Sequence, residues 1–169
     1  MRILILLIFL MSNSFADEVL DIKNLVIHKE FKKYDSLTFL NAQKDQLNLN
    51  DYKGNLILLN FWATWCLPCK EEMPSLDLLH ENKDLDNLKI FPINVGQENF
   101  EKTSNFFQDL KIENLKIYFD SPITLAKKLG LRGIPTTILV NKDGLEFARI
   151  VGSINFGDKK FVEWLKNYN

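Results

Sequence analysis

Apolar residues in this chain fall into short runs that alternate with polar, helix-like stretches. The clearest run is 56–62, where both alternating faces are apolar apart from Asn60. Such a run is typical of a central strand in a parallel-type sheet that helices cover on both sides. Residues 88–95 repeat the pattern after a predicted helix at 67–82, which completes a β-α-β unit. Pro92 cannot donate to a strand ladder, so we expect a bulge, an edge or a local break there.

The remaining pattern predicts further elements of the same α/β class. Residues 19–53 are polar and broken, with alternating pieces at 37–42 and 46–49 that predict a β-hairpin packed beside the main domain. Gly130 ends one predicted helix, and 142–144 forms a hairpin turn. In order, the pattern predicts a helix at 99–110, a strand at 115–119, a helix at 122–129, a strand after Pro135, a strand at 145–151 and a helix at 158–166.

The first sixteen residues resemble an export signal rather than part of the fold. Arg2 is followed by an apolar core at 3–11 and by the small-x-small sequence Ser14-Phe15-Ala16. An apolar run of this length is too short for a transmembrane helix, which needs about 20 residues. We therefore expect a cleaved secretory signal at 1–16, with an uncleaved amphipathic anchor as the alternative.

The predicted mature chain, 17–169, is long enough for one domain with a sizeable core. We expect 17–54 to form an N-terminal hairpin extension of that domain. Removal of Arg2 leaves 20 basic and 22 acidic residues, with lysines interleaved among acids. Without a basic stripe, nothing in the sequence favours a nucleic-acid partner.

Cys66 and Cys69 are the only cysteines among the 169 residues. Their spacing permits a disulfide between them, but a structural staple, half of a zinc site or two unrelated core cysteines are alternatives. A staple across so short a loop would stabilise little, and zinc needs four ligands, for which only His28 and His80 are additional candidates by type. Because exported domains that rely on structural disulfides usually hold several, a lone close pair favours redox chemistry.

The start of the predicted helix at 67–82 would make one of these thiols reactive. A helix N-terminus stabilises a thiolate, so we expect Cys66 to be the exposed attacking sulfur and Cys69 the resolving sulfur. Pro68 fits the first helical turn, where its missing N–H costs nothing. Glu72 shares a helical face with Cys69 and could hold its proton, although a solvated helix charge is the alternative. Pro74 is expected to kink the helix.

Two motifs together resemble the thioredoxin fold. They are the run 60–70 (NFWATWCLPCK) with Pro74, and Gly133-Ile134-Pro135-Thr136. With Glu72-Met73-Pro74 and an inserted helix and strand at 97–119, the chain is similar to the exported TlpA/ResA/DsbE-like thiol-disulfide oxidoreductases. The resemblance implies a central mixed sheet flanked by helices, with an N-terminal β-hairpin and a helix-strand insertion.

The resemblance also implies roles for individual residues. Cys66 would be the nucleophile and Cys69 its resolving partner, paired as a Cys66–Cys69 disulfide in the oxidised state. Pro135 would be a cis-proline facing that disulfide, and Glu72 the active-site glutamate. Asn60 stands where thioredoxin has a buried aspartate, so any proton transfer would pass to Glu72. The expected substrate-binding residues around the pair are Trp65, Leu67, Pro68, Ile134 and Thr136.

The implied activity is exchange of the dithiol with cysteines of exported partner proteins. Similar proteins act as reductants in the bacterial periplasm or on the outer face of the cytoplasmic membrane, often on apocytochromes c. A membrane thiol-disulfide donor recharges them, and neither a cofactor nor a metal is implied. Two alternatives remain open. A thiol peroxidase shares the fold, although Ala63 replaces the threonine of its usual motif, and an exported metal-binding module would need a histidine such as His80 near the pair.

Overall fold

The computed structural model describes residues 22–169, which form one mixed β-sheet with helices on both faces. The α-helices are α1 (Leu67–His80), α2 (Phe100–Asp109), α3 (Leu125–Lys128) and α4 (Lys159–Lys166), and a 3-10 turn covers Leu49–Tyr52. The strands are β1 (Leu25–Lys32), β2 (Thr38–Leu40), β3 (Gln46–Asn48), β4 (Leu56–Trp62), β5 (Leu88–Asn94), β6 (Tyr118–Phe119), β7 (Thr136–Val140) and β8 (Glu146–Val151).

The sheet has the order β1-β8-β7-β4-β5-β6-β2-β3. The β4–β5 and β5–β6 pairs are parallel, and the other pairs are antiparallel. All seven residues of β4 are buried, as expected for a strand with a neighbour on each edge and helices on each face. The predicted thioredoxin fold is therefore confirmed, including the N-terminal hairpin and the inserted α2–β6 segment.

Residues of β4 divide between two apolar cores because successive side chains of a strand point to opposite faces. Leu56, Leu58 and Trp62 join the larger core, together with side chains from α1, α2 and α4. Ile57, Leu59 and Phe61 join the second core, which α3 and the β2–β3 hairpin cover. The apolar run seen in the sequence is thus one strand between two layers.

The N-terminal part differs from its prediction in two ways. The predicted hairpin forms, but β2 continues the main sheet by pairing with β6 through Leu40 and Phe119 instead of lying beside it. A further strand, Leu25–Lys32, pairs with β8 at the opposite edge. The sequence analysis missed this strand because its apolar residues, among them Val26, Ile27 and Phe31, do not alternate with polar ones along the strand.

Of the bulge, edge or local break expected at Pro92, the structure shows the edge, whereas the predicted start of the helix at 122–129 needs revision. The strand at Pro92 has an unbroken register with β4, so no bulge forms. The proline is tolerated because β6 pairs only with Ile93 and Asn94, which leaves Pro92 at a local edge. The predicted helix at 122–129 begins later, at Leu125.

A buried carboxylate explains this late start. Asp120 is 2% exposed and accepts hydrogen bonds from the backbone N–H groups of Thr124, Leu125 and Ala126 at 2.7–2.9 Å. These donors are the ones that the first turn of a helix leaves unpaired. The side chain of Asp120 therefore caps α3 and fixes where it begins.

The expected signal segment, 1–16, lies outside the described residues. Within the part of the chain that the structure describes, no helix combines the length and the apolar character needed to cross a bilayer.

Candidate active site

The two cysteines lie where the central strand gives way to the first helix. After β4 ends at Trp62, a short turn leads to Cys66, which is the N-cap residue of α1. Its sulfur accepts a hydrogen bond from the backbone N–H of Cys69 at 3.3 Å, and the two residues are joined by a disulfide. Pro68 lies within the first turn, as the sequence predicted. The N–H groups at this helix end favour negative charge on the Cys66 sulfur once the disulfide is reduced.

The flanks of the disulfide are exposed, but the sulfurs are largely covered. Cys66 is 5% exposed and Cys69 is fully buried, so the prediction of an exposed Cys66 was wrong for the oxidised state. The cause is that Cys66 turns back over the helix start to meet Cys69. Trp65 and Leu67, on either side, are each 67% exposed. Trp65 and Leu67 therefore form an exposed apolar rim beside Cys66, the more accessible of the two cysteines.

The second predicted motif, 133–136, lies at the same end of the sheet as the disulfide. The Ile134–Pro135 peptide bond is cis, and Ile134 packs against the apolar core that contains both cysteines. Thr136 pairs with Phe61 of β4, which places this loop beside the strand that leads to the disulfide. The side chain of Thr136 is buried and donates to the carbonyl of Gly133 at 2.8 Å. Its hydroxyl therefore supports the loop.

Glu72 lies one helical turn beyond Cys69 on the buried side of α1 and is 2% exposed. One carboxylate oxygen accepts from the Asn60 amide at 2.8 Å, and the other from the backbone N–H of Ile154 at 3.4 Å. Burial raises the pKa of Glu72 to about 7, and these two neutral donors only partly oppose it. The carboxyl group can therefore gain or lose a proton near neutral pH beside the resolving cysteine.

Asn60 is suited to a neighbour that changes its protonation. Its amide nitrogen donates to Glu72 and to Thr137, whereas its buried carbonyl oxygen has no hydrogen-bond partner among the described residues. An amide turned by 180° would present that oxygen to a protonated Glu72 instead. Asn60 can thus serve either state of the carboxyl group without holding a proton itself.

Sequence reasoning missed a second carboxylate, Glu98, which contacts the loop that leads to the disulfide. It accepts hydrogen bonds from the backbone N–H of Thr64 at 2.9 Å and from its hydroxyl, and the Asn94 amide donates to it at 2.9 Å. The ammonium of Lys102 lies 2.6 Å away. Burial would raise the pKa of Glu98, but these donors outweigh it and lower the pKa to about 2.

Glu98 links the loop that carries the disulfide to the inserted helix α2. Its side chain is only 4% exposed, although it lies in a polar run that looks like a solvated surface loop. Its main partner, Thr64, is 34 residues earlier in the chain. No periodic pattern connects residues at such a separation, so the sequence offered no signal for this contact.

The metal alternative gains no ligand cluster from the structure. His80 is exposed at the far end of α1, where its nearest ionic partner is Glu81. Across residues 22–169, no three His, Cys, Asp or Glu side chains are grouped as a metal ion would require.

Comparison with known proteins agrees with this geometry. The family model described as AhpC/TSA matches residues 28–145, which is more than half of the chain. The thiol-disulfide oxidoreductase ResA of Geobacillus thermodenitrificans is 33% identical over 121 residues, covering 70% of this chain and 67% of the relative. ResA of Bacillus thuringiensis (strain Al Hakam) is 28% identical over 158 residues, covering 89% and 86% of the two chains. The chain spans only 56–61% of the length of four further ResA proteins.

A solved structure extends the likeness to three dimensions. The DsbF homologue from Corynebacterium diphtheriae superposes with a TM-score of 0.70 at 25% identity, covering 86% of this chain and 92% of that chain. The Cys-x-x-Cys disulfide at the start of α1 lies within the segment matched by the family model. The chain therefore belongs to the AhpC/TSA family and, within it, to the ResA-like thiol-disulfide oxidoreductases.

Proposed function

We propose that the protein reduces disulfides of exported partner proteins. The Cys66 thiolate attacks one sulfur of the partner disulfide, forms a mixed disulfide and releases the other partner sulfur as a thiolate. Cys69 then attacks the sulfur of Cys66 and releases the second partner thiolate. The partner gains two electrons, and the Cys66–Cys69 disulfide described above is the product.

The observation that carries this proposal is the buried carboxyl group one turn from the resolving cysteine. Cys69 must lose its proton before it can attack, and its sulfur is fully buried in the oxidised protein, away from bulk solvent. Glu72, with its pKa raised to about 7 by burial, can accept that proton at neutral pH. The same group can return a proton when the disulfide is reduced again.

The surface around the disulfide supports a polypeptide as the substrate. Trp65 and Leu67 project from the rim, and Pro68 is exposed in the first turn of α1. The cis-proline Pro135 directly precedes β7 at the same end of the sheet, where the next residue, Thr136, pairs with Phe61 of β4. An extended chain could rest on this loop while its apolar side chains contact the rim.

Three finer points rest on the family resemblance and the signal-like N-terminus. The protein would act outside the cytoplasmic membrane, in the periplasm or on the outer membrane face. Apocytochromes c, whose haem-binding cysteines must be reduced, would be one substrate class. A membrane thiol-disulfide donor would supply two electrons for each turnover.

Insulin reduction with single-cysteine variants tests the exchange mechanism. We expect the wild-type protein to precipitate the insulin B chain in the presence of dithiothreitol, and Cys66→Ser and Cys69→Ser to lose this activity. Unchanged reduction by Cys69→Ser would contradict the dithiol mechanism. If Cys69→Ser instead turned over hydrogen peroxide as fast as the wild-type protein reduces insulin, the result would support the thiol peroxidase.

The direction of exchange depends on the reduction potential of the pair. Related folds range from about −270 mV in thioredoxin to about −120 mV in the oxidant DsbA. A reductant should lie near the thioredoxin end of this range. Equilibration with glutathione buffers measures the value, and a potential near −120 mV would contradict the proposed direction.

A further inference from the structure

A basic cavity of about 450 Å³ lies behind the cis-proline loop. The end of β1, the segment after α3, and the facing ends of β7 and β8 form its walls. The cationic side chains that line it are Lys32, Lys128, Arg132 and Arg149. Among the described residues, no Asp or Glu side chain belongs to the lining.

One buried carboxylate beneath the cavity balances only part of this charge. Glu146 is fully buried, and Arg149 donates to it through two nitrogens, one of them at 3.0 Å. Burial alone would raise the pKa of Glu146, but the donors Arg149, Tyr34 and His28 lower it, so the group remains ionised. The pair fixes the Arg149 guanidinium in the wall.

The remaining cations have no such neutralising partner. Lys128 and Arg132 form no ion pair within residues 22–169, and Lys32 is 3.8 Å from the already shared Glu146. Lys128 donates to the backbone carbonyl of Ser36, which holds it in place without removing its charge. The cavity therefore keeps a surplus of positive charge in a chain whose net charge is −1.

The cavity adjoins the cis-proline loop, on which the proposed substrate would rest. Thr136 forms part of its wall and directly follows Pro135. Phe61 of β4 pairs with Thr136, which in turn pairs with Val151 of β8. Two strand spacings, about 10 Å, therefore separate the strand leading to the disulfide from the far wall. An extended peptide rises about 3.3 Å per residue and would cover this distance in about three residues.

We propose that this cavity binds acidic side chains of the substrate polypeptide, about three or four residues from the cysteine that Cys66 attacks. The inference rests on the proposed disulfide-reducing function and specifies its substrate class. Opposite charge mainly accelerates encounter, and its effect weakens with salt. The cavity thus selects substrates with acidic sequences flanking their disulfide.

Two synthetic peptides test this selection. Each has one cysteine, linked as a disulfide to uncharged 2-mercaptoethanol, with either Glu or Gln at the third and fourth positions on both sides. The pre-reduced protein is mixed with each peptide, and the released peptide thiol is followed by chromatography. We expect about fivefold faster reduction of the Glu peptide at 20 mM salt, falling below about twofold at 500 mM.

Substitutions of the cavity cations test whether the preference for the Glu peptide arises in the cavity. Arg132→Gln should reduce the preference to about twofold, and Lys128→Gln combined with Arg132→Gln should nearly remove it, while reduction of the Gln peptide stays unchanged. Lys89→Gln is the matched control, because Lys89 is exposed and pairs with Ile57 at the opposite end of the sheet. This control should keep the full preference.

The outcomes separate the two proposals. Equal reduction of both peptides at low salt, or a preference that survives loss of both Lys128 and Arg132, would overturn the inference and leave the disulfide-reducing function intact. Failure to reduce either peptide would overturn the proposed function itself.

Discussion

Two sheltered carboxylates flank the redox loop, and they behave in opposite ways. Glu72 lies beneath Cys69 on α1 and receives hydrogen bonds only from neutral donors, Asn60 and Ile154. Glu98 lies beneath Thr64 on the other side of the loop and is paired with Lys102. Burial raises the pKa of Glu72 to about 7, whereas donors that outweigh burial lower the pKa of Glu98 to about 2.

The contrast shows that burial alone does not decide the protonation state of a carboxyl group. A cation and a backbone N–H hold Glu98 ionised at any physiological pH, so it serves as a fixed tie between the loop and α2. Glu72 has no cation among its hydrogen-bond donors and remains close to its titration point. One carboxylate therefore positions the disulfide loop, and the other is able to move a proton.

The largest expected effect is the loss of stability in Glu98→Gln. A pKa lowered from its usual 4.5 to about 2 stabilises the folded state by about 3 kcal/mol above pH 4.5. This contribution is lost as the pH falls from about 4.5 to about 2. Urea unfolding of the oxidised protein at pH 7 should therefore show a loss of about 3 kcal/mol, and the deficit should shrink towards pH 2.

Glu101→Gln is the control for that measurement, since Glu101 is exposed on the first turn of the same helix. It should change the free energy of unfolding by less than about 0.5 kcal/mol. If Glu98→Gln costs no more than this control, Glu98 does not tie the loop to α2.

Glu72→Gln should stabilise the protein, in contrast to Glu98→Gln. Because the pKa of Glu72 is raised above its usual value, the folded state binds the proton more tightly than the unfolded chain does. Stability therefore falls as the pH rises from about 4.5 to about 7, and the neutral amide avoids this loss. We expect the oxidised variant to be about 2 kcal/mol more stable than wild type at pH 8.

The neighbouring substitution Glu71→Gln provides the comparison, because Glu71 is exposed on the same helical turn. It should leave the pH dependence of unfolding unaltered. A wild-type protein whose stability does not decline between pH 4.5 and 7 would mean that Glu72 titrates normally.

The same Glu72→Gln variant should also exchange disulfides more slowly. Wild-type insulin reduction is expected to rise through an inflection near pH 7, where Glu72 becomes able to accept the Cys69 proton. The variant should lose this inflection and react about tenfold more slowly at pH 7.5, equivalent to about 1.4 kcal/mol. Rates measured from pH 5.5 to 9 check this, and an identical profile for both proteins would remove Glu72 from the mechanism.

The smallest expected effect concerns the cation that distinguishes the two carboxylates. Lys102 is 58% exposed, so solvent weakens its interaction with Glu98. Lys102→Gln should therefore cost only about 0.5 kcal/mol at pH 7, and it should shift the acid unfolding transition to a slightly higher pH. A cost as large as that of Glu98→Gln would show that the ion pair, and not the bonds to Thr64 and Asn94, holds the loop.

The sequence predicted what local patterns determine. The run 56–62 is apolar on both faces because β4 is buried on both sides, and the spacing of Cys69 and Glu72 places both on one face of α1. Such signals need only neighbouring residues. By contrast, β1 pairs with β8 over more than a hundred residues of sequence, and its apolar residues Val26, Ile27 and Phe31 are exposed, so they do not alternate between a buried and an exposed face.

Glu98 and the basic cavity were unpredictable for the same reason. Glu98 looks like a loop acid until the fold brings Thr64 and Asn94 to it. The cavity gathers cations from β1, from the segment around α3 and from β8, which are adjacent only in the folded sheet. Long-range topology, which periodicity does not encode, decides both features.

Trapping of the mixed disulfide tests the central claim most directly. The reduced Cys69→Ser variant, mixed with a peptide disulfide, should accumulate a covalent adduct that mass spectrometry places on Cys66, and added dithiothreitol should release it. Cys66→Ser should form an adduct much more slowly than Cys69→Ser does, because Cys69 is buried. An adduct mainly on Cys69, or none on Cys66, would contradict the account.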